Sequence, residues 1–542
     1  MTPAHTARRG ALRRLLACLL LAALAVSASG CANWEETGDP LGELSQFYSK
    51  ENEAPEPEPL TTFTLPYFAN ESLDPITAGE TVQAAVGALL YEKLFQLDER
   101  FCLQPVLAQS CTYDAAEHTY TLTLRSGVTF SDGSPLTARD VSVSLERARQ
   151  SQRYAARLAE VSSIRVQGDT VLIAMSTDLA TLAWRLDIPI VKAGTEDRTA
   201  PVGTGPYVFV KSDGGAYLER NTAWWQGKAL PLQRMELQHC KDRDTMLYAF
   251  SSRELQLLPL DLTATGASGV SGSGDYTDAP TTVMQFLGFN TRRAPFDDAA
   301  LRQAVSTAVD RQGLVDSCLL GHGSAAQLPV SPASEWYPAA LETAYSPAPL
   351  SQLTQSADDT EADADTASAG ADTAGRYAGT AVTLLVNQEN AFKTTAAQEI
   401  ADSLSRAGLS VTVEAVPWET YLQRLQDGSF DLYYGECRLT ADWDILELIG
   451  TEGSLNYGGF SDEKTDGLLA ACRTADDTRR SAALTSLWED LLAKAPIAPL
   501  CFKSDSVVTT TGLVEGLAAT ETDPFFSLAQ WTVHLDDPAK SK

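Results

Sequence analysis

Between Ala381 and Trp443 the apolar positions run through five successive rhythms. AVTLLVNQ (381–388) is a short apolar run rich in β-branched residues, the pattern of a buried strand. Phe392, Ala396, Ile400, Leu404 and Ala407 then recur at helical spacing, and Gly408 stops the helix. LSVTVEAV (409–416) alternates through Leu409, Val411 and Val413, as a strand does. WETYLQRLQDG reads as a short helix ended by Gly428, and FDLYYGE (430–436) as a third strand. Strands separated by single helices are expected to be parallel, because each helix carries the chain back to its starting edge. Ligands of open parallel sheets sit beyond the carboxyl ends of the strands. Here those ends are Asn387 and Gln388, Pro417 and Trp418, and Gly435 through Asp442. By position alone, Trp418 either faces such a cleft or packs the first turn of its helix against the sheet.

The same reading places a strand and turn at TTFTLPYFANESLDP (61–75) and a helix over 81–95, with Val82, Val86, Leu89, Leu90 and Leu94 on one side. TYTLTLR alternates as a strand, and SDGSP is turn chemistry. Thr137, with Asp140 three residues on, caps a helix buried through Val141, Leu145 and Ala148. Asp297 or Asp298 caps another, lined by Leu301, Ala304, Val305 and Ala308. Arg302 and Arg311 lie off that stripe and are expected in solvent. The Gly203–Gly205 turn lacks the Lys-Ser or Lys-Thr of a phosphate loop and reads as a tight backbone path.

The first 30 residues change the picture of where the chain works. Arg8, Arg9, Arg13 and Arg14 precede LLACLLLAALAV, an apolar core too short to remain as a membrane span. Ala28-Ser29-Gly30-Cys31 resembles a bacterial lipobox, with Ala28 in place of the usual leucine, and makes Cys31 the expected lipid-attachment residue. Losing four leader arginines and no acid takes the formal charge from −30 to −34. That acidity argues against a nucleic-acid partner and suits a solvated outer surface. Residues 31–60 read as a tether, since ENEAPEPEP has nothing to bury. The remaining stretch, about 480 residues, exceeds one small core, so at least two lobes are expected. Residues 346–375 hold six acids and no base and read as a disordered acidic insertion.

Candidate chemistry is sparse. Beyond Cys18 and Cys31, seven cysteines remain, and in an exported protein some pairing is expected, with Cys102 and Cys111 the best pair. No CxxC or HExxH occurs, so no metal site is expected and no cofactor is called for. There is no G-x-S-x-G elbow or kinase set, and paired carboxylates carry little information among 71 acids, so an enzyme is not expected.

A family becomes visible in ordered motifs: Leu73-Asp74-Pro75, Tyr91-Glu92-Lys93-Leu94-Phe95, Pro105-Val106-Leu107-Ala108 and the run Leu124 to Val141. Gly203-Thr204-Gly205-Pro206-Tyr207, Phe289-Asn290-Thr291 and Pro496-Ile497-Ala498-Pro499-Leu500 continue the series. Together they resemble the family 5 solute-binding proteins of bacterial ABC importers, the group with oligopeptide-, dipeptide- and nickel-binding members. The resemblance implies an α/β, two-lobed periplasmic-binding fold of type II, with an extra subdomain in the first lobe and a hinge between lobes. It places the first-lobe core at 61–82, 203–290 and 501–542, the subdomain at 83–202 and the second lobe at 291–500. It implies an extracytoplasmic, lipid-anchored monomer that closes over a peptide and presents it to permease subunits. A non-peptide cargo (nickel chelate, haem or a sugar), or a surface receptor or chaperone role without transport, stays open beside this.

The resemblance also carries site residues. Oligopeptide-binding relatives pair the peptide α-amine with an aspartate in an Ala-Asp-Tyr context, and Ala441-Asp442-Trp443 is the matching piece. The spacing from Gly428 leaves Asp444 or Glu436 as alternatives. A desolvated ammonium does need a buried counter-charge. Trp418 falls where relatives carry a cleft tryptophan. Tyr433, Tyr434, Trp443 and Tyr457 are candidate aromatic walls, although strand alternation puts Tyr433 and Tyr434 on opposite faces. Asn290, beside the hinge, bonds ligand or stabilises the crossing.

Overall fold

A computed structural model describes residues 59–79, 81–264, 270, 274–355 and 375–536. The leader, Cys31 and the tether lie outside these residues, as do 356–374 of the acidic insertion. The body from Leu60 onward is one compact unit.

Its spine is a seven-stranded mixed sheet. The order is Leu257–Leu260, Ile497–Thr510, Gly274–Phe289, Leu432–Arg438, Ala381–Asn387 and Ser410–Val416, with Gly323–Ala325 also paired to Ile497–Thr510. The last three strands of that order are parallel, as their intervening helices require. The helices span Ala391–Arg406 and Trp418–Gln426. Period-two alternation sorts the side chains cleanly. Leu287, Phe289, Leu384, Val386, Leu432 and Tyr434 join one core cluster, while Met284, Phe286, Leu385 and Tyr433 join the cluster on the other face.

Two long strands tie the lobes together. Gly274–Phe289 and Ile497–Thr510 pair antiparallel over most of their length, with register irregularities between Pro280 and Met284 and between Gln285 and Phe286. Before the first irregularity Ala279 belongs to a core with Phe63, Leu65 and Leu218 of a separate four-stranded sheet. Beyond it Phe286 and Leu287 belong to the clusters around the parallel strands. A third sheet, ordered Ala108–Asp114, Thr119–Leu124, Thr170–Met175 and Val161–Gln167, closes its own core with the helix Ala138–Gln150. These three sheets realise the two-lobed architecture with an added subdomain.

Several local expectations meet their chemistry. The Thr137 N–H donates to Asp140 Oδ2 at 2.9 Å, and Asp298 accepts from the Ala300 N–H at 2.9 Å. The first helix stops at Leu90, short of the expected Phe95, because the chain turns to form the hairpin Phe95–Leu97 with Leu103–Pro105. Gly203 packs against that helix end: a Cβ there would stand 2.0 Å from the Leu90 carbonyl oxygen.

Other expectations are corrected. Arg302 and Arg311 are buried, not solvated. Arg302 donates to the carbonyls of Phe296 and Lys494 at 2.7 and 2.6 Å, and Arg311 to those of Pro499 and Ala326 at 2.7 and 3.1 Å. Their planar forks satisfy otherwise orphaned carbonyls at helix ends and loops, a role that helical periodicity does not reveal. All seven described cysteines are free thiols, Cys102 and Cys111 included. Cys111 packs against the subdomain core, whereas the Cys102 thiol lies 3.9 Å from the Arg100 carbonyl. Residues 348–354, read as part of the acidic loop, form a short helix anchored by buried Leu350.

Candidate functional site

The expected ligand residues fall into three environments. Asp442 and Trp443 follow the strand Leu432–Arg438, and both are buried. Arg185, at the end of the short helical turn Leu182–Arg185 in the subdomain, donates to Asp442 Oδ2 through Nε at 3.0 Å. Its Nη2 reaches Asp442 at 2.9 Å and Asp444 at 2.7 Å, and its Nη1 reaches Glu160 at 3.0 Å. Arg473 bonds Asp444 at 2.6 Å and also pairs with Glu160. The Thr181 hydroxyl donates to Asp442 at 2.6 Å, and Thr440 donates to its other oxygen. Burial works to raise the Asp442 pKa, but Arg185 and Arg480, with the two threonine hydroxyls, outweigh it and hold the carboxyl below its usual range. Asp442 therefore spends its charge on the chain's own arginine, in a network joining subdomain and second lobe.

Trp443 sits in the same boundary. Its ring meets Phe101 edge-on at 5.1 Å and Phe502 at 5.8 Å, and its Nε1 donates to Ser334 Oγ at 3.1 Å. Both Trp443 (φ 55°) and Phe101 (φ 60°) adopt the left-handed region, unusual for bulky residues. Tyr433 and Tyr434 point to opposite faces and are both core. Tyr433 occupies space that Gly288 leaves opposite it, since a Cβ there would lie 2.0 Å from the Tyr433 ring. Tyr457 packs edge-on to Tyr433 at 6.3 Å. Asn290 is buried and donates to the carbonyls of Gly428 and Phe430, both at 3.0 Å, which braces the crossing. Trp418 alone of the seven is well exposed, at 50 %, stacked on Tyr421 at 5.5 Å. Of the alternatives, Glu436 accepts from Gln285 at 2.7 Å and pairs with Lys393 at 3.2 Å. Burial raises its pKa, but Lys393 and Lys503 outweigh that and hold it below the ordinary glutamate range.

A cavity of about 640 Å³ opens elsewhere in the fold. Its wall is gathered from Pro75–Ala88, Ser151–Arg157, Asp187, the return strand at Asp505–Val507, the segment Thr520–Pro524, and Arg438 at the carboxyl end of the third parallel strand. A smaller pocket shares Arg157, Asp187 and Thr520–Thr522 and adds Leu439, Thr440 and Ala441. None of the seven expected ligand residues lines either. The larger cavity falls in the size range of small-molecule sites.

Its wall carries charges of both signs: Lys93, Arg153, Arg157 and Arg438 against Asp187, Asp505 and Glu521. Every one of the cations is engaged. Lys93 donates to the Thr522 hydroxyl at 2.6 Å, and Arg153 to the Ala78 carbonyl at 3.0 Å. Arg157 pairs with Asp187 and Arg438 with Glu521. Sequence reasoning missed this wall, because Asp187, Asp505 and Glu521 stand far apart in a chain of many acids. Among the described residues no group of three His, Cys, Asp or Glu is arranged to hold a metal ion.

The fold and this cleft define a binding protein of the two-lobed class. Residues 103–443 match the model for bacterial extracellular solute-binding proteins, family 5, and the chain belongs to that family, whose members bind solutes for ABC transporters and are not enzymes. It is similar to the glutathione-binding protein GsiB of Salmonella typhi, 23 % identical over 79 % of this chain and 86 % of the relative. Among solved structures it resembles the oligopeptide-binding protein AppA from Bacillus subtilis in complex with a nonapeptide, with TM-score 0.57, 19 % identity, and 88 % of this chain and 100 % of that one covered. It also resembles NikZ from Campylobacter jejuni in complex with Ni(L-His), with TM-score 0.58, 17 % identity, and 87 % and 99 % coverage. Among the described residues no helix is long and apolar enough to cross a membrane.

Proposed function

We propose that the protein captures peptides outside the cytoplasm and delivers them to the permease of an ABC importer, held at the membrane by a lipid on Cys31. One observation carries this reading: a cavity of about 640 Å³ whose wall bears charges of both signs. A peptide brings an ammonium, a carboxylate and a row of backbone donors and acceptors, and such a wall can meet all three. The lobes close over the cargo by bending at the two long strands, and Trp418 supplies an exposed aromatic surface near the carboxyl ends of the parallel strands. The protein works as a monomer.

Three measurements test this. Deleting the gene should reduce uptake of labelled tripeptides, and unchanged uptake counts against transport. Purified protein should bind a free tripeptide mixture; binding of a nickel chelate with indifference to peptides would replace the cargo. Labelling with a fatty acid should mark wild type and spare Cys31→Ser.

A further inference from the structure

The subdomain and the second lobe meet through charges that each supplies to the other. From the subdomain, Arg185 reaches Asp442 at 2.9 Å and Asp444 at 2.7 Å. From the second lobe, Arg473 pairs back with Glu160 while also bonding Asp444 at 2.6 Å. The Thr181 hydroxyl donates to Asp442 at 2.6 Å, and the Ala180 N–H donates to the Arg473 carbonyl at 2.8 Å. Arg480, on the helix Asp477–Lys494, faces the Trp184 ring of the subdomain at 5.8 Å. Three arginines thus balance three carboxylates across one seam. None of these residues lies on Gly274–Phe289 or Ile497–Thr510, the two long strands that carry the chain between lobes.

Charge is an inefficient way to hold a seam that never opens. Desolvation offsets much of the attraction in a buried ion pair, and apolar packing of the same volume stabilises as well or better. Apolar contact is present but local: Phe101 meets Trp443 at 5.1 Å and Trp184 meets Trp336 at 5.2 Å. Mixed seams of this kind within one chain resemble transient protein contacts, for which relative motion is the expectation. Each half of this one carries both signs, so each is able to return to water when the halves part.

We propose that this network is a latch: it joins subdomain and second lobe when the lobes close and parts when they open, so that Glu160, Arg185 and Arg473 set the closed fraction without touching cargo. None of the three lines the large cavity. They are positioning residues, acting through the arrangement of the lobes. Apparent affinity scales with the fraction of molecules in the binding-competent state, so such a latch tunes capture from outside the site. The inference rests on the lobe motion proposed above and not on the identity of the cargo.

Small-angle X-ray scattering of the mature full chain, with no cargo added, tests this. Glu160→Lys sets a third cation against Arg185 and Arg473 and should part the two faces, giving a larger radius of gyration than wild type. Glu160→Asp keeps the charge and should stay closer to wild type. Circular dichroism shows whether each variant folds, and if Glu160→Lys does not, Glu160→Gln carries the test in the same direction. Hydrogen exchange separates a latch from a structural brace: it should quicken at 180–185 and 440–444 in the folded variant, with the subdomain sheet as protected as in wild type. An unchanged radius of gyration in a folded Glu160→Lys or Glu160→Gln, or exchange that quickens throughout the subdomain sheet, overturns the proposal. Peptide binding and uptake enter none of these measurements, so a failed cargo assignment leaves their outcome standing.

Discussion

At pH 7 the Asp505 carboxylate keeps its charge against burial and against Asp261, which together raise its pKa from 3.8 to about 6. By linkage that difference destabilises the fold by up to about 3 kcal/mol at neutral pH. The sign follows from the raised value. Folding favours the protonated form, so the penalty is absent below the unfolded pKa, grows as pH rises, and is complete above about 6. Asp505→Asn keeps the size and removes the charge. It should raise the unfolding free energy by about 1–3 kcal/mol at pH 7.5 and by less at pH 4.5, read from urea titrations. A variant less stable than wild type at pH 7.5 contradicts this. Its place in a cavity wall was also illegible in the chain: Asp505 sits in the polar stretch Lys503-Ser504-Asp505-Ser506 of its strand, and nothing at its neighbours signals a cavity. Asp442 was expected to meet a ligand amine, and its pairing with Arg185 was not legible. Arg185 lies over 250 positions away and meets it only through the docking of subdomain and second lobe.

Among the elements, the turn Leu182–Arg185 and the segment Asp442–Asp444 share a buried charge network. Arg185→Met leaves Asp442 and Asp444 facing each other with one arginine fewer, and removing one partner from a buried network costs about 3–5 kcal/mol. The loss should be full at pH 7. Because the Asp442 pKa is lowered in the native state, its share of the stability is present above the unfolded carboxylate range and fades as the pH falls through the native value. Equal denaturation midpoints for wild type and Arg185→Met at pH 7 would show the network to be inert. Gly203→Ala tests the docking of the subdomain from the other side. The 2.0 Å approach to the Leu90 carbonyl is to backbone, which cannot swing aside, so a loss of about 1–3 kcal/mol is expected. The parallel strands, their helices and the Thr137 and Asp298 caps were readable because local periodicity and capping decide them. Arg302 and Arg311 were not, since their carbonyl partners at Lys494 and Pro499 come from remote parts of the chain.

For the whole molecule, the seven-stranded sheet does two jobs at once. Its parallel strands build the second lobe, and its two long antiparallel strands carry the chain between lobes. The family motifs made this organisation readable from the chain alone. The cavity was not, because its wall collects segments from Pro75 to Pro524 that no single motif contains. The proposed task depends on that wall meeting a small zwitterion. Native mass spectrometry of the protein taken from its own host tests this most directly. The account predicts a mass increment that releases as short peptides with free amines. Release of a metal chelate, a haem or a sugar, with no peptide, would contradict it.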